Sequence, residues 1–365
     1  MYRPCFESPS CSSRTNQEIM PSSKLLLHTL AATLISTTVS FHVPPANLPR
    51  LRRAPISSFA KLTPPTASDR LAALRGGGPI EMSLASALGG SLAVPTCWGL
   101  ATAACSLAFI RQAYVFSLSY GLSMALIGLA ILTSIPASAP AVLTYHAYLV
   151  VAYGVRLFAF LYWRQSLQDS GWAQKLDALD KTPRSKRAPL VISTALFYAL
   201  MASPLLFHLQ SGASGMAFPA VSLAGCAVAA FGLVVETVAD HSKSMFKIAL
   251  RKSGAADRPP TSGVWALSRH ANYFGEIVFW IGATVAGLPS LLAPGLSPLI
   301  RLLRATSMGL GLSGIVFIML SATTRLEKKQ AERAPSKWPV LKADGTFDSY
   351  EDYVSRSGRL FPKLF

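Results

Sequence analysis

The chain has 365 residues, a formal net charge of +17 and a 51% hydrophobic composition, with only 14% of its residues charged. A soluble domain averages about 25% charged residues. A shortfall of this size, with a mean hydropathy of +0.39, excludes an ordinary water-soluble fold and points to a chain that lives in a bilayer. The basic balance admits a membrane surface or an anionic cofactor, and no recognised nucleic-acid-binding motif accompanies it, so nucleic acid is not an expected partner.

Residues 1–80 read as a targeting presequence, largely disordered, and 81–365 as one multi-span membrane domain. Lys24 precedes an apolar stretch, Leu25 to Val39, that ends in small residues before Phe41. That is the layout of a secretory signal, too short to span comfortably. Residues 41–68 then carry Arg50, Arg52, Arg53 and Lys61 among prolines and hydroxylated residues, with no Asp or Glu. Such a stretch reads as a transit peptide. A signal followed by a transit peptide resembles the bipartite presequence of algal plastids bounded by extra membranes. A plastid membrane is therefore the favoured location, with the endoplasmic reticulum membrane as the alternative. Gly76-Gly77-Gly78-Pro79 marks the start of the folded body.

The expected fold class is all-α, a polytopic transmembrane helix bundle of about seven spans: 88–110, 115–135, 141–163, 189–209, 217–238, 273–293 and 305–322. The last is short and would need tilt. Basic residues concentrate in alternate loops, an alternation that only the sixth loop, with Arg301 and Arg304, breaks. Loop 164–188 carries Arg164, Lys175, Lys181, Arg184, Lys186 and Arg187, whereas 136–140 and 210–216 carry no charge. Positive loops stay on the cytoplasmic or stromal side, which puts the loop after the fifth span and the C-terminal tail on one face. Cys5, Cys11, Cys97, Cys105 and Cys226 show no metal-ligand spacing, and His146, His208, His241 and His270 show no i, i+4 pairing, so no metal is expected.

A carboxylate at membrane depth is expensive and marks either function or an internal partner. Glu236 falls near the end of the fifth span and Glu276 in the first turns of the sixth. Glu236, Asp240, Lys243 and Lys247 follow i, i+4, i+7, i+11 spacing, one face of a helix that continues past the span. Arg269, Asn272 or Tyr273, and Glu276 can share a second face. The bland reading is an interhelical ion pair, Glu236 or Glu276 with Arg269, that only holds the bundle together.

Ser268-Arg269-His270-Ala271-Asn272-Tyr273-Phe274-Gly275-Glu276 resembles the SRHPNYFGE signature of the steroid 5-alpha-reductase C-terminal domain, and more closely an uncharacterised bacterial and algal branch of that superfamily. Glu236-Thr237-Val238-Ala239-Asp240 is similar to the branch's E-T-x-A-D segment, and Gly263-Val264-Trp265 to the G-[LV]-W before the signature. Arg325-Leu326-Glu327-Lys328 resembles the closing L-E-K, and Tyr350 and Tyr353 a terminal YxxY. The likeness covers about 230–365 and extends faintly back to Tyr153-Gly154-Val155-Arg156-Leu157. Ala271 departs from the family's Pro, which would suit a first helical turn.

The resemblance implies a membrane-embedded, NADPH-dependent reductase of a carbon–carbon double bond in an enone-type lipid. It implies a cofactor pocket at Asp240, Lys243, Lys247, Arg269, His270, Asn272, Tyr273, Glu276, Glu327 and Tyr353. Arg269 can supply charge-assisted hydrogen bonds to phosphates, aided by Lys243, Lys247 and Arg251, and the helix start near His270 adds N–H donors. No G-x-G-x-x-G follows a strand, so no Rossmann site is implied. In the steroid enzymes a Tyr with a carboxylate partner polarises the carbonyl, from helices that do not align here. Catalytic candidates are Glu236, Tyr153 and His270, with Tyr145, Tyr148 and His146 as further positional candidates on the third span. Two other readings compete: an S-adenosylmethionine-dependent lipid or prenylcysteine methyltransferase, because those enzymes share an R-H-P-x-Y-x-G core, and a non-catalytic membrane scaffold.

Overall fold

A computed structural model describes residues 92–166, 180–212, 218–254, 258–337, 340–341 and 347–363. The presequence expected over 1–80 lies outside the described residues, as does most of the loop 164–188.

The described chain is helical apart from one short hairpin. Helix α1 spans Val94–Cys105 and passes through 3-10 turns at Ser106–Phe109 and Gln112–Phe116 into α2, Leu118–Leu132. Then follow α3, Ala141–Ser166; α4, Ala188–Ser211; α5, Pro219–Lys252; the single turn α6, Val264–Leu267; and α7, Ala271–Gly287, which tightens into a 3-10 turn over Leu288–Leu292. Helix α8 is Pro298–Lys337, β1 (Val340–Leu341) pairs antiparallel with β2 (Phe347–Asp348), and α9 is Tyr350–Arg356.

Five helical stretches are long and apolar enough to cross a membrane: Ala141–Gln165, Ala188–Ser211, Pro219–Lys252, Ala271–Leu292 and Pro298–Arg333. They make the protein an integral membrane protein. Where the first two of the seven expected spans fall, the structure has shorter apolar helices, Val94–Phe109 and Leu118–Leu132. The polar pair Arg111 and Gln112 breaks the apolar run between them, and the backbone there turns 3-10. The expectation of a short last span is corrected. Forty residues of α8 rise about 60 Å at 1.5 Å per residue. That is twice a hydrocarbon core of about 30 Å, so its polar C-terminal half, with Glu327, runs beyond the bilayer. Helix α5 likewise continues to Lys252, the extension that the spacing of Glu236, Asp240, Lys243 and Lys247 predicts.

Helices α5 and α7 form the most extensive contact, and α2 with α3 the next. Small residues explain both. Gly225 faces Ala286, Ala229 faces Gly282, Gly232 faces Phe279 and Glu236 faces Gly275, so the two helices run antiparallel in constant register. The steps alternate between four and three residues, the spacing of a packed helical seam. A Cβ on Gly275 would lie 2.5 Å from the Glu236 backbone nitrogen. Only glycine lets the backbones come this close, as between helices in lipid generally. Gly121 against Phe158 and Gly154 against Ala125 do the same for α2 and α3. The seam delivers Glu236 to the first turns of α7.

Candidate functional site

Two polar assemblies meet at the start of α7. The first is a buried cluster among α2, α3, α5 and α7. Arg156 on α3 bridges two carboxylates of α5: Nη1 lies 2.7 Å from Glu236 Oε1, and Nη2 2.7 Å from Asp240 Oδ2. Glu236 and Asp240 stand one helical turn apart, which is the separation a guanidinium fork spans. Asn272 Nδ2 donates to Asp240 Oδ1 at 3.2 Å. Deeper in, Tyr120 Oη donates to Glu276 Oε1 at 2.9 Å and accepts from Trp280 Nε1 at 2.6 Å. Tyr153 Oη lies 2.9 Å from Tyr120 Oη. Tyr120 has one proton and gives it to Glu276, so Tyr153 is the donor in that pair. Tyr153 stacks on Phe279 with ring centroids 4.2 Å apart.

All of these groups are buried or nearly so: Glu236 is 2% exposed, Asp240 7%, Glu276 8% and Tyr153 0%. Glu236 Oε2 is buried and has no hydrogen-bond partner. Arg156 thus holds two carboxyl groups of α5, while Glu276 is held by the Tyr120 hydroxyl.

The second assembly is a clasp. Arg269 Nε and Nη2 fork onto Glu327 of α8, with Nη2 2.8 Å from Oε2, and His270 Nε2 lies 2.8 Å from Glu327 Oε1. Arg269 Nη1 donates to the carbonyls of Val354 and Ser357 at 3.1 and 2.6 Å. The tail runs back along the signature: Ser268 and Gly358 form a parallel bridge, Arg269 N donates to Gly358 O, and Ser268 Oγ donates to Leu360 O at 2.6 Å. Tyr353 Oη donates to the carbonyls of Trp265 and Pro260 at 2.9 and 3.3 Å, and burial pushes its phenol pKa up. Ser349 caps α9 through a reciprocal pair with Asp352. Gly263, at φ 62°, makes the left-handed turn that lets Trp265 insert between α5 and this tail. Lys243 sits over the Trp265 ring, 4.9 Å from its centroid.

The predicted residues therefore divide. Glu236, Tyr153, Asp240, Asn272 and Glu276 come together in the cluster. Arg269, His270, Glu327 and Tyr353 come together in the clasp, with Tyr273 stacked on His270 at 5.6 Å. Lys243 and Lys247 lie half-buried on α5 beyond Asp240. The bland alternative, an ion pair of Glu236 or Glu276 with Arg269, does not form: Glu236 pairs with Arg156, and Arg269 with Glu327. Tyr145 and Tyr148 point away from the cluster, 53% and 41% exposed. Ala271, in place of the family's Pro, is 3% exposed and packs with Ala239 and Trp265, so the helix start is fixed by packing instead of by a ring.

Sequence reasoning missed Arg156, Tyr120 and Trp280. Arg156 carried a usable signal, an arginine inside a 26-residue apolar helix three residues after Tyr153. Tyr120 and Trp280 carried none, because aromatic residues are common in spans.

The fold and cluster define a membrane-embedded helix bundle with an internal polar site at one end of its spans. By match over residues 108–334, the chain belongs to the family described as "Protein of unknown function (DUF1295)", a family associated with steroid 5-alpha-reductase-like proteins. That region contains the whole buried cluster and stops before α9. No curated protein and no solved structure matches the chain.

Proposed function

We propose that the protein is a membrane-embedded, NADPH-dependent reductase of a conjugated carbon–carbon double bond in a lipid, of the steroid 5-alpha-reductase-like branch named by its signature. The observation that carries this reading is the buried Tyr120–Glu276 hydrogen bond, set beside Tyr153 and Trp280. A phenol paired with a carboxyl group is the acid that an enone reduction needs. Trp280 and Tyr153 both donate to Tyr120 Oη, so negative charge on that oxygen is already solvated by the protein, which favours loss of the Tyr120 proton in the transition state.

The chain's groups fit a reduced nicotinamide dinucleotide. Glu236 Oε2 is a buried acceptor with no partner and suits a carboxamide or ribose hydroxyl. Lys243, Lys247 and Arg251, farther along α5 on the basic side, suit the phosphates. NADPH would supply hydride to the β carbon of the enone. With substrate bound, the Tyr120 hydroxyl would turn from Glu276 to the carbonyl oxygen and pass its proton there, while Trp280 and Tyr153 donate to the phenolate oxygen that remains. Arg269 acts as a positioning residue in this reading, since Glu327, Val354 and Ser357 engage its fork. The short helices α1 and α2 complete seven crossings, and the site opens to the cytoplasmic or stromal side of the bilayer. A plastid membrane is the proposed location.

Purified protein in detergent, heated with NADPH, NADH or S-adenosylmethionine, tests the reading, because a ligand of the native state raises apparent stability. NADPH is expected to raise the midpoint most. A rise with S-adenosylmethionine alone would make the protein a methyltransferase, and no rise with any of the three would leave the scaffold reading.

A further inference from the structure

A second pair of titratable side chains lies outside the cluster. His146 on α3 and His208 on α4 are 1% and 2% exposed, and their Nδ1 atoms are 3.2 Å apart. One Nδ1 must carry the proton and the other accept it, so the two rings are held in complementary states. His146 Nε2 is buried and has no hydrogen-bond partner. Leaving such a group unsatisfied costs stability, and an apolar side chain would fill the same space without that cost. Packing alone does not account for this pair.

Its place in the bundle supplies a reason. His208 is three residues from the end of α4, and His146 is five from the start of α3, so the pair lies near the face with uncharged loops, opposite the basic face. Arg304 of α8 bonds Gln210 and covers Phe207, next to His208, and Cys226 of α5 lies against the Val142 carbonyl, one turn from His146. His146 and Tyr153 are seven residues apart on α3, two turns and about 10 Å along one face of the helix. Tyr153 then leads by hydrogen bonds to Tyr120 and Glu276.

We propose that His208 and His146 form a proton relay between the uncharged face and the Tyr153–Tyr120–Glu276 cluster. This rests on the reductase reading in one respect, the need for a proton. Reducing a carbon–carbon double bond takes a hydride from NADPH, which becomes NADP+, and one proton, which ends on the α carbon. Tyr120 loses that proton and must regain it each turnover, while the nucleotide closes the basic face. The relay restores it from the other side: a proton arrives at His208, crosses to His146 through the Nδ1 pair, and leaves from His146 Nε2 toward Tyr153. The relay requires water to carry the proton over the two turns between them.

Trp280 offers a readout that needs no ligand, because its indole N–H donates to Tyr120 Oη. The full-length protein, labelled with 15N-tryptophan and reconstituted in vesicles, is given heavy water from the uncharged face, and Trp280→Phe assigns the signal. The indole proton is expected to exchange within minutes, and at least 10-fold more slowly in His146→Gln and His208→Gln, which keep a hydrogen-bonding group but pass no proton. Exchange that is equal or faster in both variants, or that takes days in the unaltered protein, overturns the relay. The NADPH thermal shift is read on the same samples: its absence sinks the reductase reading and leaves the exchange result to stand on its own.

Discussion

The cluster around Tyr120 and the clasp around Arg269 are joined by the first turn of α7, and they are built on opposite lines. In the clasp the polar groups are largely answered. Arg269 spends its donors on Glu327 and on two tail carbonyls, and Tyr353 spends its hydroxyl on two more. In the cluster the balance is left open: one guanidinium serves Glu236 and Asp240, Glu276 receives the Tyr120 hydroxyl, and Glu236 Oε2 has no partner. Saturated polar networks fix a structure, and unsatisfied ones wait for a ligand or a proton. The lesson is that the most recognisable stretch of the sequence, the signature at Ser268–Glu276, contributes one end to each.

The sharpest way to break this comparison is to remove the acid. Tyr120→Phe deletes the hydroxyl that links Glu276, Tyr153 and Trp280, and it is expected to lower turnover by about 100-fold or more, the usual scale of general acid catalysis. The NADPH thermal shift should persist in that variant; losing both together would make Tyr120 a binding residue. Next in size is Arg156→Ala, which leaves Glu236 and Asp240 buried without their cation. Breaking a buried pair costs about 3–5 kcal/mol, seen as a fall in the midpoint of thermal unfolding in detergent. Arg156→Lys should recover only part, because an ammonium cannot fork to two carboxylates.

Gly275→Leu tests the seam that brings the cluster together. Overpacking a tight contact costs about 1–3 kcal/mol, and since the clash is with the Glu236 backbone, NADPH binding should weaken with stability. A variant that binds normally would mean that the close approach of α5 and α7 does not shape the site. The smallest effect is expected in the clasp. Arg269→Ala should free the tail to proteolysis after α8 and weaken NADPH binding roughly several-fold, with an unchanged dependence on salt. Loss of a phosphate contact would instead flatten that dependence, as the counter-ion argument for phosphates requires.

Much of the architecture was legible in the sequence because it is written in one dimension. Apolar runs marked the helices, and the spacing of Glu236, Asp240, Lys243 and Lys247 showed that α5 continues beyond the bilayer. Partner choice was less legible, because it depends on how each helix is rotated about its axis. The glycine registers of α5 with α7 and of α2 with α3 set those rotations, and they turn Arg156 to Glu236 and Tyr120 to Glu276. Arg269 shows the same limit. Its place in a recognised signature suggested a ligand contact, whereas a glutamate 58 residues later on α8 takes its fork. The length of α8 hid this, since an apolar window ends well before Glu327.

The most direct test of the central claim follows the hydride itself. Protein in detergent is given NADPH carrying deuterium at the transferable position and a panel of enone lipids of steroid, carotenoid and fatty-acyl type, and the lipids are weighed by mass spectrometry. The account predicts a saturated product that carries one deuterium at the β carbon, and almost none of it in Tyr120→Phe. Lipids that return unreduced and unlabelled, from a protein that S-adenosylmethionine stabilises and NADPH does not, would contradict it.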